Sequence, residues 1–300
     1  MRKAINWIQS MSSLPEVSVI IPTYNRAHML SDALRSVLGQ SFTDFELIVV
    51  DDGSTDDTQS LLSSWAGRLE VIKTNRRGVS ASRNLGAQQA HGRWLAFLDS
   101  DDLWLPEKLG LQLEAHHQQP EFLISHTDEF WVRRGVRVNP MKKHAKLGGR
   151  IFEYCLPMCR ISPSSVLIDR GLFSRIGGFD QHYRVCEDYE LWLRITARHP
   201  VLYIHRKLVV KRGGHEDQLS SSHWGFDRYR VRAIRKILES GILTDSLRLA
   251  ALKELAAKSH ILALGYSKRN KKLQAGRYRR LEKWAGEQIG QIAPVKTVNG

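Results

Sequence analysis

Residues 94–102 read Trp94-Leu95-Ala96-Phe97-Leu98-Asp99-Ser100-Asp101-Asp102, an apolar run that ends in three carboxylates within four positions. The run is short and follows His91-Gly92-Arg93, which marks a buried strand rather than a helix. A buried strand cannot hold that much charge in its interior, because an unpaired ion in an apolar medium costs several kcal/mol or more. The acids therefore sit where the strand emerges, and in open α/β sheets that carboxyl edge is where ligands bind. Hard oxygen ligands on a short turn suit magnesium or manganese, with phosphate completing the shell. An Asx turn capping the strand, with solvated acids, accounts for the same residues without a metal.

Upstream, the same grammar repeats. Val17-Ser18-Val19-Ile20-Ile21 is a β-branched strand, halted at Pro22-Thr23-Tyr24-Asn25-Arg26 because proline cannot continue a central ladder. Leu30, Leu34, Val37 and Leu38 follow at helical spacing. Phe45-Glu46-Leu47-Ile48-Val49-Val50 is a second strand ending in Asp51-Asp52-Gly53-Ser54. Thr55 or Asp56 can cap the next helix, which carries Leu61, Leu62 and Trp65. Leu69 to Ile72 is a third strand, and Gly78-Val79-Ser80 opens a helix bearing Arg83, Asn84 and Ala87. Strands alternating with helices from Val17 to the acid turn predict an α/β fold with a mostly parallel sheet, its polar strand ends sharing one rim.

Beyond Pro106 the pattern loosens. It predicts a helix from Glu107 to His117, strands at Phe122–Ser125 and Ser164–Ile168, and a short helix ending at Gly177-Gly178-Phe179-Asp180. Glu187-Asp188 opens a periodic helix with Leu191, Trp192 and Ile195 facing inward. Two closing strands are expected, Val201 to Ile204 and Leu208 to Lys211. The basic loop from Arg133 to Arg150 contains Gly135, Pro140 and Gly148-Gly149, and is expected to be a mobile flap or a solvated connection. From Trp224 onward the pattern is helical, with Leu249, Leu252, Ala256 and Ala263 as an apolar seam. The expected organisation is a leader over 1–15, an α/β domain over 16–223 and a basic helical region over 224–300.

Composition fits a soluble enzyme: 300 residues, 42% hydrophobic, with eight tryptophans. No apolar run approaches the ~20 residues needed to cross a bilayer, and the N-terminus lacks a signal peptide's apolar core. Cys155, Cys159 and Cys186 form no metal-ligand pattern; Cys155 and Cys159 can share a helix face and nothing more. These features predict a reduced, cytoplasmic location. The net charge of +14 is uneven, since residues 225–300 hold 17 Lys/Arg against 6 Asp/Glu. Such a segment can bind nucleic acid, an anionic membrane or acidic substrate, or simply be a solvated face.

Neither a G-x-G-x-x-G after the first strand nor a P-loop occurs, which argues against a dinucleotide-dependent dehydrogenase and a P-loop ATPase. Thr23, Tyr24, Asn25 and Arg26 are instead a set able to stack on and hydrogen-bond a base. Asp52 can accept from a base or a ribose hydroxyl, and Arg83 can pair with phosphate or support the base site. Simpler roles exist for each: a turn for Asp51 and Asp52, a surface salt bridge for Arg83, helix capping for Glu187 and Asp188, core packing for Trp104 and Trp192.

Four segments, Val17 to Arg26, Ile48 to Asp56, Gly78 to Asn84 and Phe97 to Asp102, occur in the order and at the spacing of family 2 glycosyltransferases. The chain resembles that family over roughly residues 16–215. The resemblance implies a GT-A fold and an inverting, nucleotide-sugar-dependent enzyme. It implies that Thr23 and Asp52 hold the base, with Tyr24 and Arg26 on the same strand end and Arg83 beside the nucleotide. Asp99-Ser100-Asp101 matches the family's D-x-D, with Asp99 approaching the ribose and the ion and Asp101 binding a divalent cation, manganese or magnesium, that bridges the diphosphate. Asp102 leaves the assignment uncertain by one position. Asp188 matches the catalytic base, and His215 lies on a loop that can close over the donor, within reach of metal or phosphate.

The chemistry agrees. Inversion requires a base that deprotonates the acceptor hydroxyl as it attacks in line, and one carboxylate at a helix N-terminus can serve. Growing charge on the leaving diphosphate is what a divalent ion stabilises. The implied reaction moves a sugar from a nucleotide-diphosphate sugar to a glycan or lipid-linked acceptor, in lipopolysaccharide, capsule or exopolysaccharide synthesis. The basic tail would then meet an anionic inner-leaflet membrane, and no nucleic acid is expected as a partner. A sugar-phosphate nucleotidyltransferase would instead carry a Gly-rich loop where Pro22-Thr23-Tyr24-Asn25 stands. A non-enzymatic nucleic-acid-binding protein would need the basic tail but no carboxylate cluster.

Overall fold

All seven residues of β1 (Val17–Thr23) are buried, as are the last five of β2 (Phe45–Asp51) and all four of β4 (Trp94–Phe97). Strands covered on both faces are the mark of a parallel sheet wrapped by helices. The computed structural model describes residues 14–139, 141–214 and 225–292. Within them a mixed sheet runs in the order β3-β2-β1-β4-β8-β6-β9-β5, with β3 at Glu70–Lys73, β5 at Leu103–Trp104, β6 at Ile124–Arg133, β8 at Val166–Asp169 and β9 at Leu202–Gly213. The first four of that order are mutually parallel; β8 is antiparallel to both β4 and β6. Side chains alternate across the sheet. Ile20, Ile48, Val50, Leu95 and Phe97 enter one core, while Val19, Ile21, Leu47, Val49 and Ala96 enter the other.

Register places the strand ends together. Thr23 pairs with Asp51, the Asp52 N–H donates to the Thr23 carbonyl at 2.8 Å, and the Leu98 N–H donates to that of Ile20 at 3.0 Å. The crossover helices α1 (Ala27–Leu38), α2 (Thr58–Ser63) and α3 (Val79–Gln89) flank this edge. Asp56 accepts from the N–H groups of both Ala27 and Thr58, each at 3.1 Å, tying together the starts of α1 and α2. Helix α3 lies so close to β1 that a Cβ on Gly86 would stand 2.6 Å from Ile20 Cγ2.

The second half departs from expectation in three ways. The two closing strands are one, β9, whose pairing with β6 skips His205 and Arg206. This bulge absorbs the polar pair that looks like a strand break. Strand β6 also runs well past Ser125 to Arg133. The basic loop is a solvated connection only in part: most of its described residues are exposed, but Val136–Val138 forms β7 against β6, and Lys146 is buried against Glu129 at 2.9 Å. A charge run that looked solvated therefore supplies a wall of the site.

After α4 (Lys108–Gln118), α5 (Phe152–Cys155), α6 (Arg170–Ile176) and α7 (Glu187–Thr196) come three C-terminal helices, Asp227–Glu239, Asp245–Lys268 and Lys272–Ile292. Val231, Ile234, Ile237 and Leu252 join the core that contains Phe179 and Trp192. Of the expected seam, Leu252 and Ala263 are buried while Leu249 and Ala256 are half-buried; Leu255, Leu262 and Tyr266 complete it. Among the described residues no helix is long and apolar enough to cross a membrane.

Candidate active site

The strand ends open into a cavity of about 1090 Å³. On its nucleotide-type side, Thr23 is buried and its Oγ1 has no protein partner. The Arg76 guanidinium covers one face of the Tyr24 ring, 4.7 Å from its centroid. Asp52 accepts from Thr74 Oγ1 at 2.6 Å and from the N–H groups of Arg77 and Gly78, each at 2.7 Å. Its carboxylate thus fixes the loop that leads into α3 and leaves one lone pair on Oδ2 toward the cavity. Gly53, at φ +83, turns the chain there without a Cβ penalty.

The three acids of the turn have separate environments. Asp101 pairs with Arg26 at 2.8 Å. Asp99 pairs with Arg83 at 2.5 Å; burial opposes its charge, but the Arg83 guanidinium, with Lys211 and Arg26 further off, holds the carboxyl below the usual range. Asp102 is buried, accepts from Ser164 Oγ at 2.7 Å and the Arg212 N–H at 3.0 Å, and is pushed well above the usual range by burial and then by Asp101. Asp102 is therefore a structural acid that anchors the turn to β9. Ligand oxygens of all three lie within 4.8 Å of one another, a spacing and donor set that fit a divalent cation.

Arg83 is not a surface salt bridge. It is 3% exposed and joins Asp99 to Glu187, the latter at 2.8 Å. Glu187 and Asp188 open α7, preceded by Cys186 in a left-handed conformation, φ 62. Burial, then the adjacent Asp188 charge, pushes the Glu187 carboxyl up to about 7 against the pull of Arg83. Asp188 is half-buried on the cavity wall. Its Oδ1 accepts the Tyr189 N–H at 2.7 Å and its Oδ2 accepts from Cys159 Sγ at 3.2 Å. Lys211 faces Asp188, Asp99 and Asp102; burial works against its charge, but Glu129 and these carboxylates raise it above its ordinary value.

The opposite wall carries residues that sequence reasoning missed. Glu129 on β6 accepts from Lys146 Nζ at 2.9 Å, Ser162 Oγ at 2.6 Å and Trp131 Nε1 at 2.8 Å. Burial opposes its charge, yet Lys146 and Lys211 hold its carboxyl down at about 2. The available signal was the period-two run Glu129-x-Trp131-x-Arg133, which puts three side chains on one face of a strand. Of the expected site residues, Thr23, Tyr24, Arg26, Asp52, Arg83, Asp99, Asp101 and Asp188 all line the one cavity. His215 lies outside the described residues.

The glycosyl transferase family 2 model matches residues 18–174, just over half of the chain. An uncharacterized glycosyltransferase of Rickettsia conorii is 32% identical over 195 residues, 64% of this chain and 32% of that protein, so this chain spans about a third of that relative's length. The Escherichia coli protein WfaP, named UDP-Glc:alpha-D-GlcNAc-diphosphoundecaprenol beta-1,3-glucosyltransferase, is 31% identical over 189 residues, 61% of this chain and 70% of WfaP. A crystal structure of Staphylococcus aureus TarS in complex with UDP-GlcNAc superposes with a TM-score of 0.64 at 19% identity, covering 91% of this chain and 92% of that one. At that identity the likeness bears on the fold, which is GT-A. On its matched motifs and on its likeness to WfaP, the chain belongs to glycosyl transferase family 2.

Proposed function

We propose that this protein moves a sugar, with inversion, from a nucleotide-diphosphate sugar to a hydroxyl of a glycan or lipid-linked acceptor during cell-surface glycan synthesis, in a metal-dependent reaction at the inner face of the membrane. The observation that carries the reading is that Thr23, Asp52, the acid turn and Asp188 open into one cavity. Residues 16–223 form the catalytic unit and the helices beyond them its basic extension. The WfaP name, with a nucleotide-sugar donor and a diphospholipid-linked acceptor, and the UDP-GlcNAc complex of TarS support this choice of substrates.

In this reading Thr23 Oγ1 and the free lone pair of Asp52 bind the base, and Tyr24 and Arg76 border it. Asp99 and Asp101 would hold a divalent cation, which would supply Lewis-acid stabilisation to the charge on the departing diphosphate. Asp188 accepts the proton of the acceptor hydroxyl from its place on the cavity wall at the start of α7. Lys211 and Arg26 are the side-chain cations nearest the developing charge. Arg83 holds Asp99 and the Asp188-bearing turn at a fixed separation.

A thermal-shift panel of nucleoside diphosphates and their sugars, with and without manganese, tests the donor. One or more will stabilise the protein, and more strongly with manganese; no metal-dependent response would remove the assignment. Asp188→Asn will abolish transfer and leave that thermal response intact. Retained turnover would exclude Asp188 as the base.

A further inference from the structure

The cavity continues past Asp188 to a wall that the donor does not need. Trp131 and Arg133 on β6, His144, and Met158 and Arg160 after α5 line it. Glu129 is the carboxylate of this wall, and its oxygens are already engaged by Lys146, Ser162 and Trp131. Neither Arg133 nor Arg160 has a carboxylate partner among the described residues. Arg160 donates through Nε to the Tyr154 carbonyl at 3.1 Å and rests on the Tyr154 ring at 3.9 Å. These contacts fix the guanidinium, while its Nη1 is buried with no partner. The His144 ring lies 4.9 Å from that of Trp131 and its Nδ1 is likewise buried and unpartnered. Burial, and then the charges of Lys143, Arg160 and Arg133, lower the His144 pKa, so these cations converge on one place.

A buried guanidinium N–H without an acceptor costs free energy that an anion would recover. Two guanidiniums and no available carboxylate match a doubly charged group, and the planar fork of arginine fits phosphate oxygens in pairs. We infer that this wall is an anion subsite that binds a phosphate group carried by the acceptor, with Arg160 and Arg133 as its cations and the Trp131 ring as the apolar surface beside it. The inference rests on the transferase reading and adds to it the chemical class of the acceptor. Cys159, which contacts Asp188, and Arg160 line the same cavity as Asp188, so a phosphate held there shares that cavity with the base. An acceptor anchored by its phosphate would present its hydroxyl to Asp188 at a fixed distance.

The test uses the full chain with manganese and a stabilising nucleoside diphosphate in saturating amounts, so that the donor's own phosphate positions are filled. Octyl phosphate, octyl glucoside and inorganic phosphate are then titrated by calorimetry into the wild type, Arg160→Met and Arg133→Met. Octyl phosphate will bind the wild type, at least tenfold more weakly in either variant, with nucleotide affinity unchanged. Arg133 is exposed, so its variant folds even if replacement of the packed Arg160 does not. Equal binding of octyl glucoside, undiminished binding in the Arg133 variant, or inorganic phosphate binding as tightly as octyl phosphate would each overturn the acceptor subsite. Failure of the wild type to bind any nucleoside diphosphate would instead remove the transferase reading beneath it.

Discussion

Glu187→Gln isolates one titration. The Glu187 carboxyl is buried, 2.8 Å from Arg83, and sits at about 7 where an unburied glutamate sits at 4.5. The folded protein therefore binds this proton more tightly than the unfolded chain does. The stability it contributes is complete below the unfolded value and is lost as pH rises through about 7. Between about pH 5 and about pH 8 the loss comes to roughly 2–3 kcal/mol, at ~1.4 kcal/mol for each pH unit crossed between the unfolded and folded values. Glutamine keeps an oxygen that accepts from Arg83 but has nothing to titrate. Urea denaturation of ligand-free wild type and variant at the two pH values should show the wild type losing about 2–3 kcal/mol relative to the variant on going to the higher pH. For a chain of this length that is a relative change of about 4 °C in Tm. Groups remote from Glu187 titrate alike in both proteins and cancel in the difference, so the gap reports Glu187 together with the charges coupled to it, Asp188 and Arg83. A wild-type-to-variant gap that stays constant across the range would refute the reasoning, because the group responsible for any remaining pH dependence would then lie elsewhere.

Two further outcomes follow from named contacts. Arg26→Ala removes the guanidinium 2.8 Å from Asp101, in a pair whose side chains are 11% and 17% exposed; manganese should then bind the nucleotide-free protein about tenfold more tightly, or ~1.4 kcal/mol, by electron paramagnetic resonance of the free ion. Unchanged or weaker manganese binding would remove Asp101 as a ligand. Leu273 is 87% and Trp284 39% exposed on the last helix, beside the exposed Lys272, Arg277, Arg280 and Lys283, a composition suited to an anionic membrane surface. Leu273→Glu with Trp284→Glu should abolish co-sedimentation with phosphatidylglycerol vesicles at physiological salt, and equal sedimentation of variant and wild type would exclude this face from docking. Deleting the helices from 224 onward would not give a clean test, because Val231, Ile234 and Ile237 are part of the main core.

The parallel half of the sheet was legible because each strand there is a continuous β-branched or apolar run stopped by polar residues, and both features follow from burial on two faces. Strand β9 was not legible as one strand, since a bulge carries His205 and Arg206 out of register and composition cannot distinguish that from a turn. Thr23, Asp52 and the acid turn were legible because they stand at or just beyond the ends of β1, β2 and β4, and Arg83 because it lies near the start of the helix that Gly78 opens. Glu129, Lys146 and Cys159 were not, because their roles come from contacts across 17, 33 and 29 residues of sequence, to Lys146, Ser162 and Asp188. The loop from 133 to 150 illustrates the difference. Its basic residues have the composition of a solvated connection, and only the position of Glu129 on the neighbouring strand gives Lys146 a reason to be inside.

The acid turn becomes more specific as a metal site when its charges are followed outward. Asp101 meets Arg26, Asp99 meets Arg83, and Arg83 meets Glu187, while Asp102 is driven toward its neutral form by burial and by Asp101. Asp99 and Asp101 thus each have a guanidinium partner before any ligand arrives. On the proposed function, Asp99 and Asp101 would hold a divalent cation within this network of guanidiniums, and the cation would supply Lewis-acid stabilisation to the departing diphosphate. Arg83 is buried and paired at both ends, so its charge is committed to Asp99 and Glu187. Arg26, which precedes α1 with its side chain 11% exposed beside Asp101, lines the same cavity and would share its charge with a diphosphate bound there. A cation and a diphosphate together would be nearly neutral, so each would lower the cost of placing the other among these charges. Metal and nucleotide should therefore bind with positive coupling, each strengthening the other by the same factor.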